Sequence, residues 1–212
     1  AEISLYVHVP FCRRLCWFCA CRTQGTQSDS PVRAYLDVLK QEIALLARHL
    51  PEGVRLARLH WGGGTPTLLS AEMMAELAEA IFAVTPMAKG GEFSVEIDPN
   101  EIDEPRLDAL AAAGMNRASI GVQDFDPEIQ ETIGRIQPFD LTRDAVDMIR
   151  ARGIASLNAD ILFGLPHQTR MRMTESVQKL VGEVVDALPD LVGSYAGEGE
   201  PNIARIRELT RA

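Results

Sequence analysis

Cys12, Cys16, Cys19 and Cys21 are the only cysteines in 212 residues, and they fall within a single stretch of ten positions. Thiolates are nucleophiles and soft metal ligands, so this crowding points to one local site that needs several of them together. A disulfide framework distributes its pairs along a secreted chain, and structural zinc takes two well-separated ligand pairs. The spacing here, C-x3-C-x2-C, lets three thiolates on one short loop hold three irons of a cubane cluster. The fourth iron is then open to a chelating small molecule, whereas the ordinary ferredoxin run is C-x2-C-x2-C with a distant fourth ligand. An iron–sulfur cluster is the favoured reading; zinc and a disulfide are its competitors.

Other groups could act beside the cysteines. His60-Trp61-Gly62-Gly63-Gly64-Thr65-Pro66 lacks the Gly-Lys-Ser/Thr ending of a phosphate loop, and Thr67 stands where a dinucleotide fingerprint needs Gly or Ala. Three glycines in a row expose backbone N–H and C=O groups to close approach, which suits a zwitterionic amino acid; a tight turn is the plain alternative. Glu96 and Asp98 are two apart and share a strand face; they read as a solvated strand end or a helix N-cap, or, at the mouth of a barrel, Glu96 could accept from an ammonium or a hydroxyl. Asp160 sits in the apolar stretch Ala159–Phe163 and needs partners, either as a structural acceptor or against a ligand. On local grounds Arg135 reads as a surface residue, His8 as a packed strand residue, and Tyr6 and Phe18 as core aromatics flanking the cysteines.

The elements that must position these groups alternate. Strands are expected at Ile3–Val9, Val54–Trp61, Phe93–Ile97, Arg117–Val122 and Ala155–Phe163. Between and after them run helices at about Ser30–Leu50 (N-cap Ser30, then Pro31), Ser70–Val84, Pro105–Ala113 ending at Gly114, Leu141–Arg152 ending at Gly153, and Thr174–Leu188. Five β-then-α units with short connections imply an α/β fold with a parallel sheet, either doubly wound or a (β/α) barrel. Either architecture puts functional residues at the C-terminal ends of strands, which is where Cys12, the glycine run, Glu96, Gln123 and Asp160 fall.

Composition narrows the function classes. With 46% hydrophobic residues the chain can bury a core without disulfide staples. A net charge of −9 argues against a nucleic-acid partner, and no apolar run is long enough to insert into a membrane. No secretory signal follows Ala1, so a cytoplasmic protein is expected.

In order, the chain contains Tyr-Val-His-Val-Pro-Phe-Cys (6–12), the four-cysteine loop, Leu-His-Trp-Gly-Gly-Gly-Thr-Pro (59–66), Ser-Val-Glu-Ile-Asp-Pro (94–99), Ile-Gly-Val-Gln-Asp-Phe (120–125) and Asp-Ile-Leu-Phe-Gly-Leu-Pro (160–166). This set resembles the radical S-adenosylmethionine (SAM) enzymes over roughly residues 3–170. Within them it is most similar to the oxygen-independent coproporphyrinogen III oxidase (dehydrogenase) family. Cys21 and the Gly-Val-Gln-Asp-Phe run favour that family over the related haem chaperones.

The resemblance implies a partial (β/α)6 barrel, with residues 1–188 as the core and 189–212 as a divergent sixth strand and tail. It implies a 4Fe–4S cluster on Cys12, Cys16 and Cys19, with Cys21 not a ligand. A first SAM would contact Tyr6, Gly63 and Glu96. Phe18, Gly64, Thr65, Gln123, Arg135 and Asp160 match positions that hold a second SAM. The implied reaction is radical oxidative decarboxylation of two propionates of a tetrapyrrole substrate to vinyl groups, with an electron donor and acceptor still to be identified and the protein a monomer. The alternatives are a tetrapyrrole-binding, chaperone-like relative and a truncated core of impaired activity. Ala20 replaces the usual Gly, Gly197 the usual His after Tyr195-Ala196, and the family's flanking regions are expected to be missing.

Overall fold

The two-residue period of the apolar stretches is realised as parallel strands in a computed structural model that describes residues 1–185. β1 (Glu2–Val9) leads into β2 (Phe11–Cys12) and β3 (Gln24–Gly25), a short parallel pair. There follow α1 (Ser30–Ala47), β4 (Arg55–Gly63), α2 (Ala71–Val84), β5 (Met87–Ile97), α3 (Glu104–Ala112), β6 (Arg117–Gln123), α4 (Pro127–Thr132), α5 (Phe139–Arg150), β7 (Ser156–Ile161) and α6 (Arg170–Lys179), with a π-helical turn over Leu180–Val185. The five long strands form one parallel sheet in the order β1-β4-β5-β6-β7. Neighbours in the sheet are thus successive in the chain. A doubly wound sheet reverses direction at a switch point, so this order selects the barrel-type winding over the alternative left open by the sequence. The expected sixth strand and the boundary at residue 188 lie outside the described residues.

The two faces of the sheet differ in chemistry. Val7 and Val9, Leu59 and Trp61, Phe93 and Val95, and Ile120 and Val122 point outward and are buried. Against them pack Leu36 of α1, Leu77 of α2, Leu107 of α3 and Val146 of α5, all in one apolar cluster. The inner face is polar: one register row reads Tyr6, His60, Ser94, Arg117 and Ser156, and the row above it runs through Glu96, Ser119 and Asn158.

Most expected elements form within a few residues of their expected bounds. Ser70 caps α2 by accepting from Met73 N–H at 3.3 Å, and Gly114 closes α3 with φ +91°. Three readings change. Asp29, not Ser30, occupies the cap position of α1 and makes no capping bond, because its carboxylate is held by Arg13. β5 begins at Met87, ahead of the expected Phe93, since Lys89-Gly90-Gly91 looks like a turn yet continues the strand. The six-residue α4 was not expected; Asp126 caps it through the N–H groups of Glu128 and Ile129. Among the described residues no helix is long and apolar enough to cross a membrane.

Two predictions follow from this packing. Phe93 is fully buried between Trp61 and Phe82, so Phe93→Ala will cost about 3–5 kcal/mol in chemical denaturation. Leu45→Ala, on the exposed side of α1, will change stability by less than about 0.5 kcal/mol. Separately, Arg33 of α1 grips both carboxylate oxygens of Glu76 on α2 (2.7 and 2.6 Å), with Lys40 at 3.0 Å. These bonds, Arg33's first, hold the Glu76 carboxyl down to about 2, below its unfolded value of about 4.3. The stabilisation is therefore complete above about pH 5 and is lost as pH falls through 2. Glu76→Gln will lower stability by under about 1 kcal/mol at neutral pH, since solvent screens the pair, and the gap to wild type will narrow as pH falls from 5.

Candidate cofactor site

The cysteines occupy a loop tied down at both ends and at its tip. Gln24 N–H donates to Pro10 O at 3.0 Å and Thr26 N–H to Cys12 O at 2.9 Å, which closes the loop. Trp17 N–H donates to Ile133 O at 3.0 Å, fastening the tip to the end of α4. His8 Nε2 donates to the Arg22 carbonyl at 2.8 Å. A carbonyl only accepts, so Nε2 carries the proton and Nδ1 takes the Tyr6 hydroxyl hydrogen at 3.0 Å. All four thiols are free, and all four line one cavity of about 370 Å³. Cys12 Sγ lies 3.2 Å from Thr23 Oγ1, and the Cys21 N–H donates to Cys19 Sγ at 3.4 Å. Burial pushes the Cys16 thiol up, opposed by the Arg135 guanidinium beside it; the hydrogen bond to Cys19, with burial, pushes Cys21 up.

Does this loop fit an iron–sulfur cluster? Among the described residues no three His, Cys, Asp or Glu side chains converge as ligands of one metal ion. A cubane takes one thiolate per iron and keeps the sulfurs further apart than a single tetrahedral ion does. Four free thiols on the wall of one cavity are the donor set that such a cluster takes.

The glycine run is required by close approach on three sides. A Cβ on Gly62 would lie 2.8 Å from Glu96 Oε1, one on Gly63 (φ +114°) 2.7 Å from His8 Nδ1, and one on Gly64 2.5 Å from Phe11 O. Two of the N–H groups are already spent: Gly63's donates to Glu96 Oε2 at 3.1 Å and Gly64's to Val9 O at 2.8 Å. Of the backbone groups expected to suit a zwitterionic amino acid, these two N–H donors are therefore engaged within the chain. What remains for an ammonium is acceptors, Glu96 above all. Glu96 is held at its other oxygen by His60 Nε2 at 3.3 Å. His60 Nδ1 lies 2.6 Å from Ser94 Oγ, and its ring stacks on Tyr6 at 5.6 Å between centroids.

The opposite wall is built by β6, β7 and the turn after α4. Gln123 closes β6 in the left-handed region (φ +69°), a conformation that costs a non-glycine residue about 1 kcal/mol. Its carbonyl accepts from Leu162 N–H at 3.1 Å, which ties β6 to the end of β7. Arg135 is not a surface residue. Its side chain is 15% exposed and its guanidinium lies 3.3 Å from Asp98 Oδ2; the guanidinium donates to Gly121 O at 3.0 Å and approaches Cys16 Sγ at 3.9 Å. Asp160 is exposed on the polar inner face, its apolar chain neighbours having alternated outward. It accepts from Asn158 Nδ2 at 2.9 Å and Ser119 Oγ at 3.4 Å.

The cavity is thus lined by Cys12, Cys16, Cys19, Phe18, Gly63, Gly64, Thr65, Glu96, Gln123, Arg135 and Asp160. Tyr6 stands apart from it: the side chain is 53% exposed rather than in the core, one register row lower, and occupied with His8 and His60. Phe18 lines the cavity and packs on a small cluster of Ile129, Ile133 and Leu165. His60, Ser94, Ser119 and Asn158 were missed as supporting residues, although counting back by two from Glu96 and Asp160 finds Ser94 and Asn158. Asp124, marked in the sequence by its place directly after the fourth strand, is fully buried. It accepts from Gln168 Nε2 at 2.6 Å and Ser176 Oγ at 2.7 Å, tying β6 to the turn after β7 and to α6.

Comparison with known proteins agrees with this geometry. The Radical SAM superfamily matches residues 6–180. An oxygen-independent coproporphyrinogen III oxidase of Paracoccus denitrificans is 66% identical over 97% of this chain and 45% of its own length. One of Helicobacter pylori is 42% identical over 84% of this chain and 40% of its own. This chain therefore spans less than half the length of these relatives. Among solved structures, coproporphyrinogen III oxidase (HemN) from Escherichia coli, described as a radical SAM enzyme, has a TM-score of 0.80 at 38% identity, covering 84% of this chain and 41% of that one. The radical S-adenosylmethionine methyltransferase TsrM from Kitasatospora setae, at 20% identity, 82% of this chain, 31% of that chain and a TM-score of 0.55, shares the fold alone. With its strand order, its cysteine loop and its matched residues in agreement, this chain belongs to the radical SAM superfamily.

Proposed function

We propose that this chain carries the radical-generating site of an oxygen-independent coproporphyrinogen III oxidase. The observation that carries the reading is the meeting of the three-cysteine loop with Glu96, Gln123, Arg135 and Asp160 around one cavity at the strand ends. Cys12, Cys16 and Cys19 would hold a 4Fe–4S cluster, with Cys21 beside it as a non-ligand. When bound, the reduced cluster and SAM supply a carbon-centred radical that removes a hydrogen from the β-carbon of a substrate propionate. The substrate then loses carbon dioxide and one electron, passed to an acceptor yet to be identified, leaving a vinyl group; two such rounds give protoporphyrinogen IX.

The chain's own part is binding, orientation and exclusion of water. Glu96 accepts from the SAM ammonium, and its two oxygens are pre-set by His60 and Gly63. Arg135 holds the cysteine loop, the end of β5 and the end of β6 in one arrangement. Gly64, Thr65, Phe18, Gln123 and Asp160 form the remaining wall, where a second SAM would bind; Tyr6 supports the first through the His60 stack. A monomer in the cytoplasm, served by a separate electron donor, is consistent with this reading.

Anaerobic reconstitution will load about four irons per chain, and dithionite will drive cleavage of SAM to 5′-deoxyadenosine. Cys12→Ser, Cys16→Ser and Cys19→Ser will each lose the cluster by iron assay and visible absorbance, while Cys21→Ser will keep it. Full iron content after replacing all three, or a loaded chain inert towards SAM, refutes the reading. Assay with coproporphyrinogen III, scoring 5′-deoxyadenosine and vinyl products separately, tests the substrate. His60→Leu removes the donor that orients the Glu96 carboxylate and so will weaken SAM binding by up to about tenfold; His60→Gln, which keeps an N–H, will recover part of it.

A further inference from the structure

Parallel strands are ordinarily apolar on both faces, and a closed (β/α) barrel is filled by branched apolar side chains. The inner face here is polar well below the cofactor cavity, so it is no packing surface. Two arginines on it are left over by the network around Glu96. Arg117, in the row of His60 and Ser94, donates to Ser156 Oγ at 3.1 Å and lies 4.0 Å from Glu92 Oε2, with its side chain 39% exposed. Arg58 stands opposite Glu92 in register, is exposed, and has no hydrogen bond or ion pair to any described residue. Two guanidiniums around one carboxylate leave this part of the face positive, in a chain whose net charge is −9.

We propose that Arg117 and Arg58 are carboxylate-binding residues of the substrate site, receiving propionates of the tetrapyrrole that lie away from the reacting one. The proposal rests on the coproporphyrinogen reading above and extends it to the residues that recognise the substrate. At about 3.3 Å per residue, Arg117 is about 7 Å below Ser119 at the cavity floor, and Arg58 about 13 Å below Gly62. A macrocycle with carboxylates around its rim spans that interval: one propionate stands at the level of Glu96 and Ser119, and others reach the guanidiniums below. The planar fork of arginine suits a carboxylate, and its weak hydration lowers the cost of stripping water from the pair. A tetracarboxylate is then bound more tightly than a tetrapyrrole with two carboxylates, which favours substrate over vinyl product.

The test is fluorescence titration of the cluster-loaded chain with coproporphyrin III, the stable oxidised tetracarboxylate, and with protoporphyrin IX as the dicarboxylate. Arg117→Gln and Arg58→Gln will each weaken coproporphyrin binding about tenfold and narrow the preference over protoporphyrin; Arg117→Lys will recover part of the loss. Thermal melting and the SAM-induced change in the cluster's EPR spectrum will match wild type, showing that fold and cofactor site are intact. Folded glutamine variants that bind coproporphyrin like wild type overturn the assignment of the two arginines alone. A wild-type chain that shows the SAM signal but binds no coproporphyrin overturns the substrate reading and this proposal together.

Discussion

Side chains alternate across a strand, and in the rows that hold the site the alternation is matched across five parallel strands, apolar outward and polar inward. That constraint determines nearly everything else. The outward set gives α1, α2, α3 and α5 a continuous apolar surface to cover, from Val7 through Trp61 and Phe93 to Ile120. The inward set is thereby freed from packing and can hold chemistry. A slip of one residue in any strand would exchange the faces, burying a Glu96 or an Asp160 and exposing a Trp61.

Around the cavity, strength comes from satisfying Glu96, Arg135 and Asp124 more than once. Glu96 is held at both oxygens, and the carbonyl of Gly121 receives both Arg135 and Gln137. Asp124, fully buried, is stabilised by Gln168, Ser176 and the Asp126 N–H. Buried polar groups are costly unless paired, and these pairings span elements far apart in the chain, so satisfying them also orients the loops. The result is a rigid frame around a loop whose thiols remain free. The glycine run belongs to the same logic: it lets the Glu96 carboxylate, the His8 ring and the Phe11 carbonyl press against the backbone of one turn.

Much of this was legible beforehand. The cysteine spacing pointed to a cluster, the apolar periods located five strands and five helices, and the strand-end positions of Glu96, Gln123 and Asp160 anticipated the wall of the cavity. What misled was locality. Arg135 looked like a surface residue because its partners lie at Asp98, Gly121 and Cys16. Asp160 looked like a carboxylate among apolar residues, although alternation sends Ala159 and Ile161 to the other face. The N–H groups of Gly63 and Gly64 looked available, and both are taken. Tyr6, read as a core aromatic on local grounds, sits half-exposed between His8 and His60.

Composition, spacing and period, which are local properties, determined by themselves that this is an α/β chain with a thiolate loop at the end of its first strand. Winding in chain order, the burial of Arg135, the two-sided grip on Glu96 and the placing of Arg58 and Arg117 on one polar face were decided only in three dimensions. The reason is physical: pairing between distant side chains is set by strand register and loop closure. One sequence pattern is compatible with several registers until the outward apolar face packs and selects one.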